Sequence, residues 1–308
     1  MLKLKYLFEN FELAKLALTN WEHDEDTLNE YLKYFRISSN AVYPFAIRGK
    51  RHFLRLSPME EKQEENLKGE LEFLQYLREN GYGAMKPIAA KNGELLLTLN
   101  TEWGVYYASV FEGVDGISVE DTDYREEIMI AYGKALGRLH NLSVEYQKQY
   151  PEKGPQLEKM QNEAETVKQE LSKLKQTKET FGLVHYDFEP DNVFYNEEDG
   201  SCHVIDFEDG MYHFFLVDLE QVLDALSEEL AGEAFAQAKK YFLQGYESEK
   251  ALEPDYGQRL PLMRKFCNLF SYARLIRCIA EEVPDAPEWM VSLKDRLAEK
   301  IQYLECII

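Results

Sequence analysis

Three polar side chains near the middle of the chain have types and spacing that could do chemistry together. Asp187 and Asn192 are five residues apart, Pro190 stands between them, and Asp206 follows shortly afterwards. Carboxylate and amide oxygens are ligands that Mg²⁺ prefers, and a carboxylate that is not bound to a metal can accept a proton. The segment could therefore combine a metal site with a general base, if the fold brings these side chains together.

A β-hairpin would bring them together. Short strand-like runs flank residues 196–201, a segment rich in turn-forming residues, so the runs should pair as antiparallel strands. Asn192 begins the first run and Asp206 directly follows the second, so this pairing makes them neighbours. Pro190 stiffens the loop that leads from Asp187 to the hairpin. The alternative is an ordinary hairpin whose Asp and Asn side chains cap turns.

A site of this composition suits phosphoryl transfer. The transition state of that reaction spreads negative charge over oxygens, so catalysis depends mainly on positioning and charge neutralisation. Magnesium supplies the neutralisation and takes few protein ligands besides the substrate phosphates. A nearby carboxylate can align the acceptor hydroxyl or accept its proton.

The same residues resemble the aminoglycoside phosphotransferase and choline kinase-like family. The run from His185 through Asp187 to Asn192 is similar to that family's catalytic loop, and Asp206, between Ile and Phe, is similar to its metal-binding strand end. The resemblance implies that Asp187 is the catalytic base and that Asn192 and Asp206 hold magnesium. It also implies that His185 holds the loop by hydrogen bonds.

The elements around this segment predict an α+β, bilobal protein kinase-like fold. Residues 1–113 should form a small, β-rich, nucleotide-binding lobe with one prominent helix, about 64–79, and a helical extension over 1–33. Residues 114–308 should form a larger, mainly helical lobe that carries the catalytic loop and the metal site. A cleft between two such lobes is a common ligand site.

The first lobe should grip a nucleotide if the resemblance holds. Arg55 stands where the family usually has a lysine that reaches the phosphates, and Glu70 on the following helix is its predicted partner. Arginine can fork onto both carboxylate and phosphate, but the exchange leaves the phosphate grip open. On the residues alone, Glu70 could also be a surface glutamate.

Two further segments are predicted to contact the nucleotide. The chain lacks a GxGxxG loop, but Ser39 and Asn40 lie between the first two predicted strands, where backbone N–H groups can face a phosphate. An ordinary turn explains this segment nearly as well. The resemblance also implies that adenine bonds to the backbone between Glu112 and Val114.

Asp218 and Gln221 lie beyond the metal-binding strand end, where a helix is predicted to begin. Their spacing is that of a capping box, in which the two side chains bond the N–H groups of the first turn. We therefore expect Asp218 to cap this helix.

Composition limits the class of protein further. Lys and Arg number 35 against 56 Asp and Glu, a net charge of −21, which disfavours nucleic acid as a partner. The four cysteines form no CxxC pair, no apolar run is long enough to span a membrane, and the first residues do not resemble a signal peptide. These features predict a cytoplasmic protein with free thiols and no membrane partner.

The predicted function is ATP- and magnesium-dependent phosphate transfer to a hydroxyl group of a small molecule. An aminoglycoside, an amino alcohol or a sugar-like compound could be the acceptor. Four acidic residues should surround the site, namely Glu189, Asp191, Glu208 and Asp209. They would suit a cationic acceptor, but they could equally be solvated loop acids.

Two other functions are possible on the same fold, and the sequence favours neither. A protein Ser/Thr kinase is disfavoured, because Glu189 and Glu208 stand where those kinases usually have Lys and Gly. A pseudokinase-like binding or scaffold protein is suggested by Arg55 and the missing glycine loop. The intact Asp187, Asn192 and Asp206 argue against it.

Overall fold

Strands and helices alternate along the chain much as the apolar periodicity predicts. A computed structural model describes residues 2–149, 163–281 and 283–307. The strands within these ranges are β1 (Arg36–Ile37), β2 (Ala41–Ile47), β3 (Lys50–Pro58), β4 (Lys86–Ile88), β5 (Leu97–Thr101), β6 (Gly104–Glu112), β7 (Ile117–Ser118), β8 (Phe181–Val184), β9 (Val193–Asn196), β10 (Ser201–Val204) and β11 (Met211–Phe214). The α-helices are α1 (Phe11–Leu18), α2 (Glu25–Tyr31), α3 (Glu64–Glu79), α4 (Glu126–Gln149), α5 (Glu163–Lys173), α6 (Leu216–Glu229), α7 (Gly232–Glu249), α8 (Tyr256–Ile279) and α9 (Glu288–Ile307).

The largest sheet has six strands, in the order β1-β2-β3-β6-β4, with β5 also paired to β6. Strands β2 and β3 form an antiparallel hairpin in which Phe45 lies opposite His52. The turn between them has φ of +53° at Arg48 and +75° at Gly49, the conformation that a two-residue hairpin favours. Arg48 and Gly49 therefore connect β2 to β3 as a tight hairpin turn.

The N-terminal helical extension is interrupted where the sequence predicts one long helical region. Helix α1 starts at Asn10, whose side chain accepts a hydrogen bond from the N–H of Leu13 at 2.9 Å. Asp24 precedes α2 but does not cap it. Its carboxylate instead accepts the N–H groups of Arg48 and Gly49, both at 2.8 Å, and these bonds lower its pKa. The extension is thus fastened to the β2–β3 turn.

The described chain divides into two compact units. One comprises residues 1–71, 86–113 and 268–308, and the other comprises residues 72–85 and 114–267. In the first, Leu2, Leu4 and Leu7 are buried against residues of α8 and α9. The structure thus groups the last forty residues with the large sheet, whereas the sequence assigned them to the helical lobe. The division into domains at 113/114 stays a prediction.

Three features of the described residues bear on the sequence predictions. The strongly charged segment 157–180 predicts a helix. Helix α5 covers part of this segment, and residues 157–162 lie outside the described ranges. All four cysteines are free, two of them buried. The described helices include none that is both apolar and long enough to cross a lipid bilayer.

Helices α4 and α7 cross at two glycines. A Cβ atom at Gly133 would lie 1.9 Å from the carbonyl oxygen of Phe242, and one at Gly245 would lie 2.0 Å from that of Ile130. Backbone cannot give way as a flexible side chain can, so a methyl group at either position would push the helices apart. Helix α4 is therefore packed directly on the backbone of α7.

Replacing Gly133 with Ala should lower the free energy of unfolding by at least about 2 kcal/mol, since the added methyl group overpacks this crossing. Gly69 in α3 is the matched control, because no atom lies within 4 Å of its added Cβ. Gly69→Ala should instead stabilise the protein by up to about 1 kcal/mol. Urea unfolding measures both variants, and equal effects would contradict the packing argument.

Candidate functional site

The predicted hairpin of the candidate site is formed by β9 and β10. Val193 pairs with Val204, so the residues just outside the ladder lie side by side. The N–H of Ile205 donates to the carbonyl oxygen of Asn192 at 3.0 Å, which extends the pairing by one step. Asp206 follows directly, and its charge acts on Asp187. The hairpin thus brings Asp187, Asn192 and Asp206 together at one end.

Asn192 holds Asp187 through two hydrogen bonds. Its side-chain nitrogen donates to the backbone oxygen of Asp187 at 2.9 Å and to the carboxylate Oδ2 at 3.0 Å. The amide nitrogen is thus used within the loop, and the amide oxygen is the atom that suits a hard cation. Asn192 therefore fixes the orientation of the predicted base, and its role as a metal ligand stays a prediction.

His185 links the catalytic loop to the strand that ends at Asp206. Its Nδ1 accepts the N–H of Asp187 at 3.2 Å, so Nε2 carries the proton and donates to the carbonyl oxygen of Ile205 at 2.9 Å. Burial lowers the pKa of His185, which keeps the ring neutral in this role. The geometry matches the structural role expected for His185.

Asp218 holds the same loop, contrary to the capping role expected for it. Helix α6 starts two residues earlier, and no side chain caps it. The Asp218 carboxylate is fully buried and accepts the N–H groups of His185 at 2.9 Å and Tyr186 at 2.8 Å. His140 Nε2 donates to it at 3.0 Å, while His140 Nδ1 accepts the hydroxyl of Tyr246 at 2.9 Å. The expected helix cap is therefore wrong.

The loop has an unusual backbone conformation at two positions. Tyr186 and Asp206 have φ of +60° and +62°, in the left-handed region that residues with side chains rarely adopt. Such positions persist where surrounding contacts determine them. Gln221 donates to the carbonyl oxygen of Tyr186 at 2.9 Å, and the Tyr132 hydroxyl donates to that of Phe188 at 2.5 Å. The loop before the hairpin is therefore held from α4 and α6.

Burial and neighbouring acids raise the pKa of Asp187 to about 8. Desolvation is the main cause, followed by the negative charges of Glu189, Asp206, Asp209 and Asp191. With this pKa the carboxyl group is mostly protonated at pH 7. A cation placed beside such a carboxylate would stabilise its ionised form.

The predicted substrate residues lie on either side of this carboxylate. Glu189 precedes the 3₁₀ turn Pro190–Asn192, while Glu208 and Asp209 lie in the 3₁₀ turn Phe207–Asp209. All three are half-buried. Of these acids, Glu189 and Asp209 act electrostatically on Asp187, as Asp191 and Asp206 also do.

The oxygen donors fit a magnesium ion held jointly with a substrate. Asn192 and Asp206 offer an amide oxygen and a carboxylate, which are hard ligands. Within the described ranges, no three His, Cys, Asp or Glu side chains are clustered so that they could bind a metal themselves. Magnesium commonly takes one or two protein carboxylates and completes its shell with phosphate oxygens and water.

In the first unit, Arg55 and Glu70 form the predicted ion pair. Two guanidinium nitrogens donate to the two carboxylate oxygens at 2.8 and 2.7 Å, and both side chains are 5% exposed. Arg55 also donates through Nε to Ser109 at 3.3 Å and lies over the ring of Phe111 at 4.8 Å. Glu70 is therefore a buried, bidentate partner and not a surface glutamate.

The other predicted nucleotide-binding positions lie at the edges of β-strands. Ser39 and Asn40 form the turn between β1 and β2, and Asn40 is buried, with Oδ1 accepting the hydroxyl of Ser57 at 2.7 Å. Glu112 ends β6 and pairs with Lys86 at 2.9 Å. Val114 follows in the second unit. Binding by these residues stays a prediction.

A model of the phosphotransferase enzyme family matches residues 35–252, well over half of the chain. The chain belongs to this family. The chain is similar to amicoumacin kinase of Bacillus subtilis, with 21% identity over 296 residues that cover 88% of this chain and 86% of that protein. Homoserine kinase of Caulobacter vibrioides is 26% identical over 215 residues, covering 63% and 65%.

Solved structures of other phosphotransferases share the fold. An amicoumacin kinase in complex with AMP-PNP and Ca²⁺ has a TM-score of 0.77 at 20% identity, covering 96% of this chain and 94% of that chain. A microcompartment-associated aminopropanol kinase has a TM-score of 0.68 at 16% identity, covering 96% and 97%. The predicted α+β, protein kinase-like fold is confirmed. So is the predicted enzyme class, a small-molecule kinase.

Three residues that hold the phosphotransferase loop were missed or given another role by sequence reasoning. Asp218 and Gln221 have capping-box spacing, but their partners lie more than thirty residues away in the chain. Tyr132 lies in an apolar helix, where its type alone indicates core. The spacing of Asp218 to Gln221 is a local signal and does not point to these distant partners.

Replacing Asp218 with Asn should lower the free energy of unfolding by about 2–4 kcal/mol. The amide offers one acceptor oxygen and places an NH₂ group against buried N–H donors. The amide protons of His185 and Tyr186 should also exchange faster with solvent. Asp224→Asn on the same helix, which breaks a half-exposed ion pair with Arg264, should cost less than about 1 kcal/mol. Unchanged amide exchange in Asp218→Asn would show that the loop is held by other contacts.

Proposed function

We propose that this protein transfers the γ-phosphate of ATP to a hydroxyl group of a small amino-bearing molecule, with Asp187 as the base. The observation that carries the proposal is the pair of hydrogen bonds from Asn192 to Asp187. These bonds leave a carboxylate oriented toward an acceptor and an amide oxygen suited to a metal in the same loop. Catalysis of phosphoryl transfer is largely positioning, so a rigidly held pair is what the reaction needs.

Asp187 would act on the acceptor hydroxyl. Asn192 holds carboxylate Oδ2 in place, so Oδ1 would accept the proton as the hydroxyl attacks the γ-phosphorus. Burial and the neighbouring acids raise the pKa of Asp187, and the positive charge of bound magnesium would lower it again, toward the range in which a carboxylate can act as a base at neutral pH. His185 and Asp218 would keep the loop from shifting during the reaction.

Asn192 and Asp206 would hold magnesium on the phosphate oxygens. When bound, the ion offsets the negative charge of the phosphates and of the acids around Asp187. The left-handed backbone at Asp206 would direct its carboxylate away from the β-ladder. In the first unit, Arg55 would contact a phosphate while Glu70 keeps its guanidinium in place. The adenine contact between Glu112 and Val114 stays a prediction.

An amine next to the acceptor hydroxyl is favoured by the charge around Asp187. Glu189, Asp191, Asp206 and Asp209 all act on that carboxylate, so the surroundings attract a cation. An amine would balance the acids that the metal does not. The names of the relatives agree with this class, because aminopropanol combines an amino group with a hydroxyl. An aminoglycoside, an amino alcohol and homoserine are the first acceptors to test.

Replacing Asp187 with Asn should lower turnover by roughly 10²–10⁴-fold, the usual contribution of a general base. The variant should bind nucleotide nearly as well as the wild type. It should also be at least as stable at pH 7.5, because the raised pKa means that ionising this buried carboxylate costs folding free energy. Asp199→Asn, at the far turn of the hairpin, is the charge-matched control and should keep full activity. Full activity of Asp187→Asn in a coupled ATP assay would remove the assignment.

Replacing Asp206 with Ala should abolish metal-dependent nucleotide binding. The variant loses the carboxylate ligand, and the remaining amide of Asn192 is a weak site alone. Titration calorimetry with AMP-PNP, with and without Mg²⁺, measures the effect. Wild-type protein should lose the same binding when EDTA removes the metal. Tight, magnesium-dependent binding by Asp206→Ala would place the metal elsewhere.

A screen of labelled ATP against aminoglycosides, amino alcohols, homoserine, neutral sugars and a generic protein substrate tests the acceptor class. We expect turnover with amine-bearing acceptors and little with neutral sugars. Transfer to the neutral sugars alone would overturn the amine requirement. If ATP and Mg²⁺ neither bind nor shift the melting temperature, the protein is a pseudokinase-like scaffold instead.

A further inference from the structure

Residues 82–85, which follow α3 and belong to the second unit, lie along the outer edge of β10. Ala84 forms a parallel bridge with Val204. The N–H of Val204 donates to the carbonyl oxygen of Gly83 at 2.6 Å, and the N–H of Met85 donates to the carbonyl oxygen of Val204 at 3.1 Å. The segment after α3 therefore adds a short parallel pairing to the end of β10.

The N–H of Asp206 is the next donor on this edge of the strand. A regular parallel ladder would pair it with the carbonyl oxygen of Met85, two residues after Gly83. The chain instead leaves the pairing at Lys86, where β4 begins, and Asp206 has φ of +62°. The N–H of Asp206 donates to Met85 Sδ at 3.3 Å. The thioether sulfur of Met85 therefore takes the place that its carbonyl oxygen would have as the acceptor.

The segment that carries Met85 is itself held from two helices. Tyr82 is buried, and its hydroxyl donates to a backbone carbonyl oxygen of α4 at 3.0 Å. Arg78, in the last turn of α3, donates through Nη1 to the carbonyl oxygen of Ala84 at 2.7 Å. The sulfur of Met85 is thus presented from a backbone that other contacts fix in place.

We propose that Met85 is a positioning residue for the metal site, whose sulfur holds the backbone of Asp206 in the conformation that presents its carboxylate to magnesium. The inference rests on the proposed function, in which Asp206 holds the metal. A residue with a side chain keeps a left-handed backbone where surrounding contacts determine it, and the bond to Met85 is one such contact.

The chemistry of the thioether suits this role. Its sulfur is a weak hydrogen-bond acceptor, which is sufficient for a backbone N–H. It is also a soft ligand, whereas magnesium is a hard cation that takes oxygen. Met85 can therefore contact the backbone of Asp206 without competing with its carboxylate for the metal.

Replacing Met85 with Leu removes the acceptor and keeps an apolar side chain of similar size. The amide proton of Asp206 should then exchange faster with solvent. The Mg²⁺ concentration that half-saturates AMP-PNP binding should rise about 2- to 10-fold, the effect of losing one hydrogen bond. The affinity for AMP-PNP without Mg²⁺ should stay the same. Hydrogen-exchange mass spectrometry and titration calorimetry measure these effects.

Two further variants separate positioning from packing. Met85→Gln keeps an unbranched side chain that ends in an acceptor oxygen, so the amide exchange and the Mg²⁺ requirement should both return toward the wild-type values. Met129→Leu makes the same exchange of side chain in the buried core of the second unit and should change neither value.

An unchanged Mg²⁺ requirement in Met85→Leu, beside a wild type that responds to Mg²⁺, would overturn this inference and leave the proposed function standing. Unchanged exchange of the Asp206 amide would do the same, and so would equal effects of Met85→Leu and Met129→Leu. Wild-type AMP-PNP binding that does not depend on Mg²⁺ would remove the metal site of the proposed function and this inference with it.

Discussion

The candidate site depends on one fully buried carboxylate, that of Asp218. Asp218 accepts two successive backbone N–H groups from the catalytic loop and a ring N–H from His140. Because an unpaired buried carboxylate is costly, these donors and this acceptor hold one another in place. The left-handed conformation of Tyr186 is maintained by this contact, and Asp187 takes its direction from it. The conformation of the loop that carries Asp187 is thus fixed by a side chain outside the predicted catalytic set.

The hydrogen bonds of Asp218 keep the loop in place although several negative charges lie near Asp187. Four acids act on that carboxylate and, with burial, raise its pKa to about 8. Such repulsion lowers stability in the absence of a cation, and a cation at the site recovers it. Free energy of folding that is lost to charge repulsion at a site is commonly regained when a ligand binds there. Binding of a substrate and of a metal would then both depend on the same few residues. The loop has to be rigid, or the repulsion would be relieved by moving the acids apart.

The sequence predicted the parts of this site that lie close together in the chain. Asp187, Asn192 and Asp206 fall within one loop and one hairpin, so strand alternation and turn residues suffice to bring them together. Helix and sheet content followed from periodicity in the same way. The role of Asp218 did not, because its spacing to Gln221 satisfies a local rule while its real partners lie on another element. A local pattern identifies the hydrogen bonds that a side chain could form with residues near it in the chain. Tertiary packing determines which hydrogen bond it forms.

Residues 268–308 group with the large sheet. An amphipathic helix carries no record of which surface it covers, so its periodicity does not indicate this grouping. Burial of Leu2 beside Cys278 requires both ends of the chain to be present. Once both ends are in place, Arg274 of α8 donates a hydrogen bond to Ser39 in the β1–β2 turn, 235 positions away in the chain, and no local pattern in the sequence indicates this contact.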